Sequence, residues 1–182
     1  MDCSAFFSLM QRGAHDEILR AIERNPGIVS DTWGRPWGEH WDRERWRISG
    51  DVGWDDLAWP WAFWKAGYTD NHLPATKPTG PIRLYRGAPH DRRFGMGWTT
   101  KYDYAHKYAV SNLIGVSGHV YLHWAWGEEL FAHVHNDTQD EYVLDTRYLN
   151  DHNVAKLPLA PTEYAALYTR CITARPAFKY GA

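Results

Sequence analysis

Eight of the eleven tryptophans in this 182-residue chain fall between Trp33 and Trp64. Such a block is either folded inward as core or displayed as a platform on which flat ligands stack. Core is the commoner use. In the second case Trp33, Trp37 and Trp41 would stack bases while Arg35, Arg43, Arg45 and Arg47 reach phosphates. The rest of the chain has a different character, so two parts are expected, with a boundary near residue 75. A composition of 44% hydrophobic and 23% charged residues with a formal net charge of -2 describes a soluble globular protein. It excludes a disordered tail, a collagenous repeat and a coiled coil. It also excludes a uniformly basic surface, so any nucleic acid must use a local basic patch or stacking aromatics.

Cys3 and Cys171 sit near opposite ends and match no ligand or redox spacing, which leaves a reducing compartment as the default. No segment approaches the ~20 apolar residues of a membrane span, and Ala5 to Met10 is too short for a secretory signal. A cytosolic (cytoplasmic) protein without a membrane partner is expected.

Phe6, Phe7, Met10, Ile18, Leu19 and Ile22 recur at helical spacing and Asn25-Pro26-Gly27 stops them, predicting one or two helices. Trp54 to Tyr68 is again helical, interrupted at Pro60, and Asn71 to Pro81 reads as a proline-rich linker. Period two then takes over. Strands are expected at Ile82 to Arg86, Gly97 to Thr100, His119 to Trp126 and Glu141 to Leu144, with helices over Asp103 to Leu113 and near Glu163 to Tyr168.

Three pieces of the second half occur in a telling order: Leu84-Tyr85-Arg86-Gly87, then Gly97-Trp98-Thr99-Thr100 running into Ala105-His106-Lys107-Tyr108-Ala109, then Gln139-Asp140-Glu141-Tyr142-Val143-Leu144. Alone, each has a plain reading. Arg86 is a strand-end arginine paired with a carboxylate, Glu141 a solvent-facing strand residue, and Thr99 and Thr100 ordinary β-formers. Together, from Ile82 to about Leu149, they resemble the arginine/serine/glutamate class of ADP-ribosyltransferases, the cholera-toxin-like branch, in a Q-x-E variant.

That resemblance implies an α+β fold, an antiparallel split sheet over residues 76–182 flanked by an N-terminal helical, tryptophan-rich subdomain over residues 1–75. It implies NAD as substrate, no metal, and the transfer of ADP-ribose to a nucleophile. Cleaving the nicotinamide bond leaves an oxocarbenium-like ribose, so the site must grip a diphosphate and place negative charge beside the developing cation. Arg86 suits the diphosphate, because a guanidinium forks two hydrogen bonds in a geometry lysine lacks. Glu141 suits the ribose. Gln139 falls at the acceptor position, where glutamine accompanies asparagine acceptors or nucleic-acid bases. Its amide offers a donor and an acceptor side by side.

Counting back from Ala105 and Ala109 puts the family's paired serines on Gly97 and Thr99. The first hydroxyl is therefore absent, and Thr99 and Thr100 are those at hand. The implied NAD contacts are Tyr85, Arg86, Gly87, Trp98, Thr100 and Tyr104, with Phe94, Trp98, Tyr102 and Tyr104 in reach as an aromatic wall. The expected role is a cytosolic toxin or effector that modifies RNA or DNA in preference to a protein side chain, and that an antitoxin or inhibitory protein covers. An NAD glycohydrolase and a non-catalytic binding module of the same fold are the rival readings. Histidines His119 and His123, and His133 and His135, lack a third ligand in register with them, so metal binding is not expected.

Overall fold

The computed structural model of the protein describes residues 1–34, 54–110, 118–135 and 140–173. Asp2 starts helix α1 (Cys3–Arg12) by accepting the Ala5 N–H on its side chain at 2.9 Å. Helix α2 (His15–Arg24) buries Ile18, Ala21 and Ile22 on one face, and α3 (Ile28–Gly34) buries Ile28, Val29 and Trp33. Helix α4 (Trp54–Ala66) runs through Pro60 where the sequence predicts an interruption. The proline removes one N–H, but Trp59, Ala62 and Phe63 are buried around it and tertiary packing holds the helix.

These helices cover one side of a five-stranded sheet. Phe6, Ile18, Ile22, Val29, Trp33, Trp59 and Phe63 share a core with Met96, Phe131, Ala132 and Val143 of the second half. Phe63 stacks on Phe131 with ring centroids 5.6 Å apart, and Trp33 meets Trp59 edge to face at 5.2 Å. Trp33 and Trp59 are thus core, whereas Trp64 is exposed. Trp37, Trp41, Arg35, Arg43, Arg45 and Arg47 lie outside the described residues.

The sheet runs β2-β1-β6-β7-β4, from β1 (Thr69–Asp70), β2 (Leu73–Pro74), β4 (Gly97–Trp98), β6 (Leu130–His135) and β7 (Asp140–Leu144). Strands β1 and β2 form a hairpin inside the stretch that reads as linker, turning through Asn71 and His72, both left-handed at φ 47° and 71°. Strand β1 runs parallel to β6, so the expected all-antiparallel arrangement holds for the other pairs but not this one. A second sheet, β3-β5-β8, comprises β3 (Ile82–Ala88), β5 (His119–Ala125) and β8 (Ala155–Lys156) and is antiparallel throughout. Helices α5 (Tyr102–Val110) and α6 (Pro161–Thr173) pack on it through Ala105, Ala109, Leu167 and Cys171. The two sheets meet where Tyr85 and Thr99 exchange backbone bonds of 2.7 and 2.9 Å. The fold is α+β, and no described helix is long and apolar enough to cross a membrane.

Below β5, His123 and Glu129 form a buried pair at 2.7 Å, and the other imidazole nitrogen lies 2.8 Å from the Asn153 carbonyl. Burial pushes the His123 pKa down, but hydrogen bonds to Cys171 and Glu129 and the Glu129 charge outweigh it and raise it to about 9. The folded state therefore holds this proton more tightly than the unfolded chain. Its stabilisation is complete below about pH 6.5 and is lost as pH rises through about 9, on the order of 3 kcal/mol at most. Urea unfolding should show that decline in the native chain and not in His123→Gln. Equal slopes in both proteins would remove this ion pair from the account of stability.

Candidate functional site

Arg86 is buried near the end of β3, one residue past the bridge that joins the sheets. Its Nε donates to the Arg92 carbonyl at 3.1 Å and its Nη1 to the Gly97 carbonyl at 2.7 Å. Part of the guanidinium thus ties the β3–β4 connection to β3. Glu141 rises from β7, and its Oε1 accepts the indole N–H of Trp33 at 2.9 Å. Between them is Gly97. A Cβ there would lie 2.6 Å from Glu141 Oε1 and 3.8 Å from Arg86 Nη1, so both side chains close over the same α-carbon. Three strands therefore bring together the arginine, the glutamate and the residue standing where a hydroxyl was expected.

The space that a serine side chain would use at Gly97 is filled by the Glu141 carboxylate. Trp33, with 1% of its surface exposed, supplies a fixed donor in its place. The sequence carried no signal for this partner, because the bond spans 108 residues and joins the helical layer to the sheet.

Thr99 and Thr100 converge on Asp140, not on Glu141. The Thr99 hydroxyl donates to Asp140 Oδ2 at 3.3 Å and the Thr100 N–H to the same oxygen at 3.2 Å, joined by the Thr100 hydroxyl. Burial pushes the Asp140 carboxyl up, but the two Thr100 bonds and His133 outweigh it and hold the carboxyl below its ordinary range. Thr99 also accepts the Lys101 N–H at 3.1 Å, closing the turn into α5.

The remaining sequence-predicted NAD contacts are placed in the packing around this centre. Tyr85 packs in the core beneath α5 and meets Tyr102 edge to face at 5.6 Å. Gly87 lets α5 approach, since a Cβ there would sit 1.8 Å from the Ala105 carbonyl oxygen. Trp98 is buried with its indole donating to Gly95 O at 2.8 Å, on the side of β4 opposite to Gly97. Phe94 is half-buried against the same core under the Arg93 guanidinium, Tyr104 is half-buried near Lys101, and Tyr102 is exposed. Gln139 lies outside the described residues. A cavity of about 560 Å³ between α5 and β5, lined by Tyr102, His106, Val120 and Leu159 among others, shares no lining residue with Arg86, Gly97 or Glu141. Elsewhere, Asp70 joins His133 and His135 in a donor cluster.

Comparison with known proteins finds no matching family model, no matching curated protein and no matching solved structure.

The contact at Gly97 yields a sharp test. In Gly97→Ala the obstructed atom is the end of a flexible side chain, so the fold survives while Glu141 swings away from Trp33. Loss of a charged hydrogen bond, partly offset by a stiffer unfolded chain, should lower stability by about 1–2 kcal/mol. Hydrogen exchange at the Trp33 indole, read by NMR, should accelerate. An indole signal identical to that of the native chain would show that the carboxylate does not occupy this place.

Proposed function

We propose that the protein is an NAD-dependent mono-ADP-ribosyltransferase with an ADP-ribosyltransferase-like split sheet, its reaction centre lying between Arg86 and Glu141. The observation that carries this reading is the closure of both side chains over Gly97, from strands far apart in sequence that flank β4 on either side. In the reaction the N-glycosidic bond of NAD breaks, nicotinamide leaves with the bonding electrons, and C1′ forms a new bond to the acceptor nucleophile, which gives up its proton. The protein's task is positioning and charge. Arg86 sets its guanidinium toward the diphosphate while its Nε and Nη1 hold the Arg92 and Gly97 carbonyls. Glu141 sets its carboxylate beside the ribose, and Trp33 holds that carboxylate in place from within the helical core. Thr99 acts one step removed, through Asp140 and the turn into α5.

The acceptor class rests on the Gln139 amide and on Trp37 and Trp41 with the arginines around them in the sequence, which favour a base in RNA or DNA over a protein side chain. A cytosolic toxin or effector restrained by an antitoxin or inhibitory protein is the matching biological role. Transfer to water in place of a macromolecule would make the chain an NAD glycohydrolase. A second reading, a non-catalytic binding module of the same fold, is favoured by Gly97 in place of a hydroxyl and by the backbone bonds of Arg86.

Labelled NAD incubated with separate pools of RNA, DNA and cytosolic protein distinguishes these readings. Glu141→Gln keeps an oxygen for the Trp33 indole and should fold normally, yet lose about 10²–10³-fold in transfer. Arg86→Lys should lose transfer as well, with circular dichroism reporting any loosening of the β3–β4 connection. Label in the nucleic-acid pools that disappears in both variants supports the proposal. Label released only as free ADP-ribose indicates the glycohydrolase, and intact NAD with every pool indicates the binding module.

A further inference from the structure

The geometry points to a divalent transition-metal site at Asp70, His133 and His135, with zinc the best-matched ion. Strand β1 pairs with β6 in parallel register, setting Asp70 against His133, and His135 follows two residues on, on the same face. His133 Nδ1 and His135 Nε2 each lie 3.2 Å from the same oxygen, Asp70 Oδ1. The three donor atoms all fall within 4.8 Å of one another, and the two imidazole centroids are 4.6 Å apart. Ligand atoms bound to one tetrahedral ion at ~2.0–2.1 Å stand about 3.3 Å from each other, so the nitrogen–oxygen separations already have the right size.

Hydrogen bonding does not account for this convergence. Among the described residues, Asp70 Oδ1 is shielded from solvent and has no hydrogen-bond partner of acceptable geometry, although two ring nitrogens approach it. An oxygen flanked in this way is placed to share one cation with the two nitrogens.

The surroundings hold the donors in that arrangement. His133 Nε2 is engaged with Asp140 Oδ1 at 3.0 Å, which leaves Nδ1 as the ring nitrogen that faces Asp70. Tyr142 stacks on the same ring at 4.0 Å with planes 11° apart, so the imidazole cannot easily turn away. Asp140 is in turn clamped by Thr99 and Thr100. A ligand, a carboxylate behind it and hydroxyls behind the carboxylate form a connected chain. His135 is 46% exposed on its side chain and is the donor able to adjust.

Two nitrogens and one carboxylate oxygen suit zinc and its first-row neighbours and leave room for water or a fourth donor. Magnesium and calcium prefer oxygen alone. The site is separate from Arg86 and Glu141, since Asp140 and Tyr142 project from β7 on the face opposite to Glu141.

Metal-stripped, untagged full-length protein titrated with zinc against a chromophoric chelator tests the assignment without NAD, so its outcome is independent of the transferase reading. One equivalent of zinc should bind and raise the melting temperature, while magnesium should not. His135→Ala and Asp70→Asn should each weaken zinc by at least about tenfold, and Asp140→Asn by about 10–100-fold through His133. His123→Gln, outside the cluster, should bind as the native chain does. Because His135 is half exposed, its variant should fold, which circular dichroism verifies. Absence of stoichiometric zinc binding, or binding equally strong in His135→Ala and Asp70→Asn, overturns the proposal.

Discussion

The structure turns on three residues, Gly97 to Thr99, that belong to both sheets. Gly97 and Trp98 pair with β7, and one residue later Thr99 exchanges backbone bonds with Tyr85 of β3. Strand β4 is only two residues long, so it has little ladder of its own to anchor it. Its position is instead held by side chains: Arg86 on the Gly97 carbonyl, the Trp98 indole on Gly95, and the Thr99 hydroxyl on Asp140. Each of these fixes a different direction, and together they set where β3 lies relative to β7. The separation of Arg86 from Glu141 follows from that.

Glycine at position 97 shows how packing decides which residue a position can carry. A β-carbon there would enter the volume of the Glu141 carboxylate, so a hydroxyl side chain and the present carboxylate position exclude each other. The donor comes instead from Trp33, whose indole reaches across the helical layer. This places a geometric demand on the N-terminal helices that their sequence does not display. Their apolar faces do more than cover a sheet; through Trp59 and Phe63 against Trp33, they fix the angle of one N–H.

Periodicity made the long elements legible. Strands β3, β5 and β7 and helices α1, α2 and α5 each present a pattern of period two or 3.6 over enough residues to be read. Strand β6 is less regular because a shift in register between Leu130 and Ala132 breaks its alternation, leaving only the same-face pair His133 and His135 visible. Strands β1, β2 and β8 have two residues each, below the length at which a period exists, and the β1–β2 turn uses Asn71-His72 without the glycine that usually marks such hairpins. Arg86, Gly97 and Glu141 were legible from motif order. Trp33 and Asp70 were not, because both act through contacts made only after the strands and helices have assembled.

Strand β7 connects the two proposed sites by alternation alone. Glu141 and Val143 face the helical layer, where Trp33 waits and Val143 joins the core, whereas Asp140 and Tyr142 face the imidazole of His133. A slip of one residue in the β6–β7 register would exchange these faces, burying Glu141 against a histidine and turning Asp140 toward Arg86. The pairing of His133 with Tyr142 and of Val134 with Glu141 is therefore a requirement of both sites at once. An ion joining β1 to β6 would stiffen the strand against which β7 is registered, and so would act on the placement of Glu141 without touching it. Coupling of this kind needs no pathway beyond the period of a single strand.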